Sequence, residues 1–327
     1  MRYDRRTIPC IFQTAPVRKP GAASLTTMTN HTSSGPTAPA APVEPADRYA
    51  VIGHPVEHSQ SPYIHAEFAH ETGQHLTYER LLAPLDAFAA TVRTFIESGA
   101  RGANVTVPFK LEAHALADHL TERAQAAGAV NTLVFDARGI TGDNTDGVGL
   151  VRDIEGPLDV SLAGRRVLVL GAGGASRGAL LPLIAAGPSL LFVANRTAAR
   201  ADELVARFAD AARNAGVSLA GGGWDTIPTD FDVVVNATAG SLQGDVPPLP
   251  PGVYATGALA YDMMYGAHPT VFMTHATAHG AAKVADGLGM LVEQAAEAFA
   301  VWRGVRPSAA ATQAVRAALR ARLVAKG

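Results

Sequence analysis

The sequence predicts an α/β fold with a parallel sheet, and three observations carry that expectation. The first is the stretch Arg166-Val-Leu-Val-Leu-Gly-Ala-Gly-Gly-Ala-Ser-Arg177. Val167 to Leu170 form a short, wholly apolar run, the pattern of a strand buried on both faces. Gly171, Gly173 and Gly174 follow at once, and a helix-compatible run continues from Ala175 to Ala186. The second observation is a pair of further apolar runs, one opening at Leu190 and one at Phe231, each ending in polar residues. The third is that both halves alternate strand-like and helix-like segments, with no internal repeat.

Length and composition bound what this fold can do. At 327 residues the chain is long enough for about two domains. Hydrophobic residues make up 48% and charged residues 17%, so a sizeable core can form. The net charge of −2 gives no electrostatic reason to expect nucleic acid or an anionic membrane. No apolar run approaches the ~20 residues that span a bilayer. Cys10 is the only cysteine, which excludes an intrachain disulfide and a thiolate metal site. Residues 1–46 are rich in Pro, Ala, Thr and Ser and lack hydrophobic periodicity, so a disordered tail is expected there. A transit peptide, or translation from an upstream start with Met28 as an alternative, would also give such a segment.

Order is expected from Arg48, with a strand over Tyr49 to Ile52. Ser61 followed by Pro62 reads as an N-cap with proline at N1, and Gly73 as the helix stop. Ser59 and Ser61 then lie beside a helix N-terminus, where they either hold a carboxylate or serve only the cap and the loop. His54, His58 and His65 lack the paired spacing of a metal helix, so no metal is expected. Leu76 to Leu82 is a second strand, and Asp86 to Ser98 an amphipathic helix with Phe88, Val92, Phe95 and Ile96 on one face. Ala103 to Val107 reads as a strand end stopped by Pro108. Asn104, Thr106 and Lys110 would lie at or just beyond its C-terminal edge, where ligands bind in open α/β sheets. Ala129 to Phe135, a turn, and the segment from Ile140 form a hairpin. Asp143, Asn144 and Asp146 follow either as hairpin polar groups or as part of a site, and Gly147 to Ile154 starts a helix.

The glycine stretch would turn tightly and point helix N–H groups at a pyrophosphate. Dinucleotide sites for NAD place an acid about 20 residues past the glycines to hold the ribose 2′-OH. Here that position holds Asn195, followed by Arg196, Thr197 and Arg200. Two guanidiniums and no acid suit a 2′-phosphate, unless Thr197 only caps a helix and the arginines face water. Further on, Leu259 to Asp262 reads as a strand, His268 to His279 as a helix, and Asp286 to Trp302 as a helical region. After Pro307, Val315, Leu319 and Leu323 line a terminal helix.

Several motifs in one order resemble the shikimate dehydrogenase family. They are Ile52-Gly-His-Pro with His58-Ser-Gln-Ser-Pro-Tyr-Ile-His65, Asn104-Val-Thr-Val-Pro-Phe-Lys110, Gly128-Ala-Val-Asn-Thr132 and Asn144-Thr-Asp-Gly147. Gly171-Ala-Gly-Gly-Ala175, Asn195-Arg-Thr197, Asn236-Ala-Thr238, Tyr261-Asp-Met-Met-Tyr265 and Asp286-Gly-Leu-Gly-Met-Leu-Val-Glu-Gln294 complete the set. The resemblance covers Arg48 to the end. It implies two α/β domains flanking a cleft, the second a Rossmann-like doubly wound parallel sheet. Residues 47–150, completed by 287–327, would bind the substrate, and 151–286 would bind NADP. The implied reaction is the reversible NADPH-dependent reduction of 3-dehydroshikimate to shikimate in aromatic amino acid biosynthesis. The same resemblance implies a cytoplasmic monomer or homodimer.

Carried over by motif, Lys110 and Asp146 would be the catalytic pair. Ser59, Ser61, Asn104, Thr106, Asn131, Tyr265 and Gln294 would join Asp146 on the substrate. Gly171, Ala172, Gly173, Gly174, Ala175, Asn195, Arg196, Thr197 and Arg200 would hold NADP, with Met263 and Gly287 near the nicotinamide. Asn236-Ala-Thr-Ala-Gly-Ser241 departs from the family pattern by a shifted glycine. A quinate/shikimate dehydrogenase using NAD would call for an acid between Asn195 and Arg200, and a non-catalytic NADP sensor for loss of Lys110 or Asp146. The chain has neither feature.

Overall fold

The computed structural model describes residues 45–325. Cys10, Met28 and all but the last two residues of the expected tail lie outside them. The first half runs β1 (Asp47–Gly53), α1 (Ser61–Thr72), β2 (Leu76–Leu82), α2 (Phe88–Glu97), β3 (Ala100–Val105), α3 (Lys110–Leu116), β4 (His119–Leu120), α4 (Glu122–Ala127), β5 (Thr132–Asp136) and β6 (Gly139–Asp143). Its six strands form one sheet in the order β2-β1-β3-β5-β6-β4. β1 pairs in parallel with β2 and β3, whereas β5 is antiparallel to both β3 and β6.

α5 (Asp146–Glu155) leads into the second half: β7 (Arg166–Leu170), α6 (Gly174–Ala185), β8 (Leu190–Ala194), α7 (Ala198–Ala215), β9 (Ser218–Gly222), β10 (Phe231–Asn236), β11 (Tyr254–Asp262), α8 (Val271–Ala278) and β12 (Lys283–Asp286). These six strands lie in the order β12-β11-β10-β7-β8-β9, and every pairing is parallel. This is the doubly wound Rossmann order, with its switch point between β7 and β10. Val167, Leu168, Val169 and Leu170 are wholly buried, as a strand covered on both faces requires. The chain closes with α9 (Leu288–Arg303) and α10 (Ala309–Val324). Val292, Phe299, Val315 and Leu319 of these helices pack with Ile64 and Phe68 of α1, so the C-terminal helices share a core with the first sheet's leading helix.

The structure corrects several local readings. Gln60, not Ser61, is the N-cap of α1; Ser61 is its first residue and Pro62 its second. Lys110 does not sit on a strand edge: β3 stops at Val105 and Lys110 opens α3. Neither α3 nor α4 was expected, since helices of 7 and 6 residues are too short to display a helical period. β9 also escaped, because Ser218-Leu-Ala-Gly-Gly222 carries no β-branched residue. Four-residue β12 is an equally weak signal.

Two glycines let α5 pass between its neighbours. A Cβ on Gly147 would stand 2.2 Å from the carbonyl oxygen of Gly178 in α6, and one on Gly149 would stand 2.7 Å from the backbone nitrogen of Gln294 in α9. Farther along α5, buried Asp153 accepts hydrogen bonds from Tyr261 Oη at 2.7 Å and Arg316 at 3.1 Å. Burial still holds its carboxyl above the usual range.

The turn before α5 is pinned by charge. Arg123 donates to both oxygens of Asp143 at 2.7 Å and to Glu297 of α9 at 2.9 Å. Thr121 Oγ1 and the Asn144 N–H also donate to Asp143. Burial raises the Asp143 pKa, but the Arg123 hydrogen bonds and charge outweigh it and leave it below the ordinary value. A depressed carboxylate contributes stability above its unfolded pKa, near ~3.9, and loses it as pH falls through the folded value. Arg123→Met is expected to destabilise the fold by about 3–5 kcal/mol at pH 7, because it strands a buried carboxylate. The deficit should shrink as pH is lowered towards 4. Urea unfolding of both proteins across that range checks it; a deficit independent of pH would contradict the assignment.

Candidate active site

A cavity of about 380 Å³ lies at the C-terminal ends of β1 and β3. Ser59, Ser61, Asn104, Thr106, Lys110, Asn131 and Asp146 line it from the first half and the start of α5. Met263, Tyr265, Gly287 and Gln294 line it from the other side. The structure therefore brings together around one space all the residues expected at the substrate, the chemistry and the nicotinamide. Met263 reaches the wall because position 287 is glycine: a Cβ there would stand 2.1 Å from the Met263 carbonyl oxygen.

Lys110 and Asp146 are the first residues of α3 and α5. Lys110 Nζ donates to Asp146 Oδ2 at 2.6 Å, with the two side chains 32% and 18% exposed, so the pair stays accessible. Asn131 Nδ2 donates to Asp146 Oδ1 at 2.8 Å and also stands 3.0 Å from Thr145 Oγ1 and Gln294 Oε1. Asn131 Oδ1 accepts from the Thr145 N–H at 2.9 Å and from Thr132 Oγ1 at 3.0 Å. With its amide occupied at both ends, Asn131 fixes Asp146, and Asp146 fixes the ammonium. Across the cavity, Ser59 Oγ lies 3.2 Å from Ser61 Oγ and accepts from the Ser61 N–H at 3.3 Å. Arg80 donates to the Ser59 carbonyl at 2.6 and 3.0 Å, which holds the serine loop. Two hydroxyls at a helix N-terminus can take a carboxylate.

The glycine loop stands apart from this cavity, at the C-terminal ends of β7 and β8. Gly171 takes φ +100°, a conformation that favours glycine, and Ser176 Oγ donates back to its carbonyl at 2.6 Å. Gly173, Gly174 and Ala175 are exposed at the start of α6, and a Cβ on either glycine would meet only open space. Asn195 joins this loop to the next one: its Oδ1 accepts from the Ala172 N–H at 3.2 Å and its Nδ2 donates to the Thr197 carbonyl at 2.9 Å. Arg196 and Arg200 are exposed, and among the described residues no carboxylate pairs with either. These residues fit a dinucleotide with a 2′-phosphate: open N–H groups for the pyrophosphate and free guanidiniums for the extra charge. The shifted glycine is accommodated in a short 3-10 turn over Gly240–Gln243. Ser241 Oγ there donates to buried Asp262 at 2.6 Å, and Asp262 also accepts from Thr270 Oγ1 at 2.6 Å and from the Met264 N–H at 3.1 Å.

Sequence reasoning missed the layer beneath the cavity. Tyr78 Oη donates to Asn104 Oδ1 at 2.7 Å. The ring of wholly buried His65 stacks on Tyr78 at 4.2 Å, beside Phe299 and Trp302. Burial lowers the His65 pKa to about 3, opposed in part by nearby Asn104, although neither ring nitrogen makes a hydrogen bond of normal geometry. Among the described residues no three His, Cys, Asp or Glu side chains group as a metal site.

Comparison with known proteins gives the same picture in three segments. The pattern of the shikimate dehydrogenase substrate binding domain matches residues 51–133, that of shikimate/quinate 5-dehydrogenase residues 154–243, and that of the shikimate 5′-dehydrogenase C-terminal domain residues 287–320. The chain is 60% identical over 282 residues to the shikimate dehydrogenase (NADP(+)) of Cupriavidus taiwanensis, covering 84% of this chain and 95% of that one. An Ael1 enzyme from Pseudomonas putida is similar in structure with a TM-score of 0.78 and 49% identity, over 84% of this chain and 98% of its own. Shikimate 5-dehydrogenase of Thermus thermophilus, solved with NADP(H) and shikimate, has a TM-score of 0.71 and 33% identity, over 83% and 99% of the two chains. Identity at this level over nearly the whole of a relative, spanning the segments that build both the cavity and the glycine loop, means that the chain belongs to the shikimate dehydrogenase family.

Proposed function

We propose that Lys110 and Asp146 are the acid–base pair of an NADP-dependent shikimate dehydrogenase, which reversibly reduces 3-dehydroshikimate to shikimate in aromatic amino acid biosynthesis. The observation that carries this reading is their 2.6 Å ion pair on the wall of the cavity that Met263 and Gly287 close from the other half. Bound NADPH supplies the hydride. Charge then builds on the substrate's carbonyl oxygen, and a lysine ammonium can give that oxygen a proton. Asp146 holds the ammonium in place and offers an acceptor to a substrate hydroxyl. Ser59 and Ser61, beside the N-terminus of α1, take the substrate carboxylate. Thr106, Tyr265 and Gln294 complete the substrate contacts.

On the same reading, residues 47–150 with 287–327 form the substrate domain and 151–286 the NADP domain. Gly171 to Ala175 cradle the pyrophosphate, while Arg196 and Arg200 take the 2′-phosphate. The chain is expected to act as a monomer or a homodimer. A cytoplasmic enzyme fits the finding that no described helix is long and apolar enough to cross a membrane.

Lys110→Ala is expected to lower turnover by about 10²- to 10⁴-fold, the usual range for a positioned acid, while the Michaelis constants move little. Steady-state rates with shikimate and NADP test it, and a variant keeping more than about a tenth of parental turnover would remove Lys110 from the chemistry. Arg196→Ala should raise the Michaelis constant for NADP by about 10- to 150-fold, the size of a lost charge-assisted hydrogen bond, and leave that for NAD unchanged. An equal rise for both cofactors would show that Arg196 shapes the loop rather than reading the phosphate.

A further inference from the structure

Asn104 lies in β3 with 7% of its surface exposed, and it lines the cavity. Its amide can make four hydrogen bonds, two from the nitrogen and two to the oxygen. Nδ2 spends both hydrogens on protein, one on the Asn131 carbonyl and one on Thr132 Oγ1, each at 3.1 Å. The Asn131 carbonyl can only accept, so the nitrogen must face it and the amide cannot be turned round. Oδ1 then receives the Tyr78 hydroxyl at 2.7 Å. One lone pair of Oδ1 is all that Asn104 retains for a ligand.

We infer that Tyr78, through this hydrogen bond, occupies one of the two lone pairs of an acceptor already fixed by its own amide nitrogen, leaves a single directed lone pair to the cavity, and so selects a substrate that presents a hydroxyl group there. Tyr78 is half-buried as a residue, with its hydroxyl enclosed. Burial pushes the phenol well above its ordinary pKa, so it remains a donor throughout the working range and cannot act as a competing anion. The His65 ring, stacked 4.2 Å away with an interplanar angle of 6°, holds the phenol ring in place. Without the phenol hydroxyl, Oδ1 would keep its place but have two free lone pairs, and neither would be singled out for the ligand. A ligand offering a hydrogen-bond acceptor at this point would meet only another acceptor, a repulsive contact that selects against it. Tyr78 is thus a positioning residue that acts through Asn104.

The inference rests on the shikimate dehydrogenase reading and is tested with a panel of substrates. Parent enzyme and Tyr78→Phe are assayed with shikimate, 4-deoxyshikimate and 5-deoxyshikimate at saturating NADP, together with the Michaelis constant for NADP. Tyr78→Phe should lower kcat/KM for shikimate by about 5- to 20-fold, the effect of misdirecting one hydrogen bond, with the NADP constant within about twofold of parent. Against the deoxy analogue that lacks the hydroxyl meeting Asn104, the two enzymes should agree within about twofold. Tyr78→Met, which also fills the space without a donor, should reproduce the pattern, and a melting scan of both variants checks the fold. Loss by one common factor on all three substrates would make Tyr78 merely structural and overturn the inference, as would unchanged kcat/KM for shikimate. A parent enzyme with no activity on shikimate would instead overturn the proposed function.

Discussion

Helix α5 is the constraint on which the site depends. Its first residue is Asp146, its first turns pass within backbone distance of α6 and α9, and Asp153 anchors it to β11 and α10. The carboxylate that holds Lys110 therefore rides on the element joining the two sheets. α6 is also the helix whose N-terminus bears the glycine loop, and α9 is the helix that carries Gln294 to the cavity. Shifting α5 would move the Lys110–Asp146 ion pair relative to both. Side chains larger than hydrogen at 147 or 149 would have to push backbone aside, because main-chain atoms of α6 and α9 lie within 2.8 Å of where a Cβ would stand. Close packing here transmits position rather than absorbing it.

Saturated hydrogen bonding does the rest of the positioning. Asn131 meets Asp146, Thr145, Thr132 and Gln294, residues drawn from the start of β5, the N-cap of α5 and the helices α5 and α9. Its amide cannot rotate without breaking several bonds at once. Such a network fixes where charge sits before a substrate arrives, which is what electrostatic assistance requires. Outside it, Arg123 neutralises Asp143 and reaches Glu297, so the buried acid three residues before Asp146 adds no uncompensated charge. The turn after β11 that carries Met263 is held from the far side by the buried Asp262, which gathers Ser241, Thr270 and the Met264 N–H, and the Gly287 N–H donates to the Met264 carbonyl at 3.0 Å.

The parts of this design that sequence reveals are those set by local pattern. Val167 to Leu170 with its glycines announced the second sheet, and the polar residues after each apolar run marked the strand ends that carry ligands. Motif order brought Lys110 and Asp146 together although 36 positions separate them. What stayed hidden has a physical cause. Lys110 looked like a strand-edge residue because Pro108 was read as the end of pairing, and a helix of 7 residues leaves no period to find. Ser61 looks like an N-cap because serine before proline is the usual signature; the backbone instead places the cap one residue earlier, at Gln60, and starts the helix at Ser61. Tyr78 meets Asn104 across 26 residues, through a side-chain bond that no spacing announces.

Cofactor selection also rests on more than the absence of an acid. In an NAD site the residue at position 195 would be a carboxylate that accepts from the ribose. Asn195 is a near-isostere, yet it works on the protein itself, accepting from the Ala172 N–H and donating to the Thr197 carbonyl. An aspartate could keep the first bond but would set its charge against the Thr197 carbonyl, which can only accept. Asparagine thus fits the place because both ends of its amide are used, and it ties the pyrophosphate loop to the loop bearing Arg196. The arginines are exposed beside a neutral residue, with no carboxylate partner among the described residues, so their charge is available to a 2′-phosphate. On the proposed reading, asparagine at 195 has two consequences for cofactor choice: it removes the group that would repel the phosphate, and it fixes the loop that presents the groups attracting it.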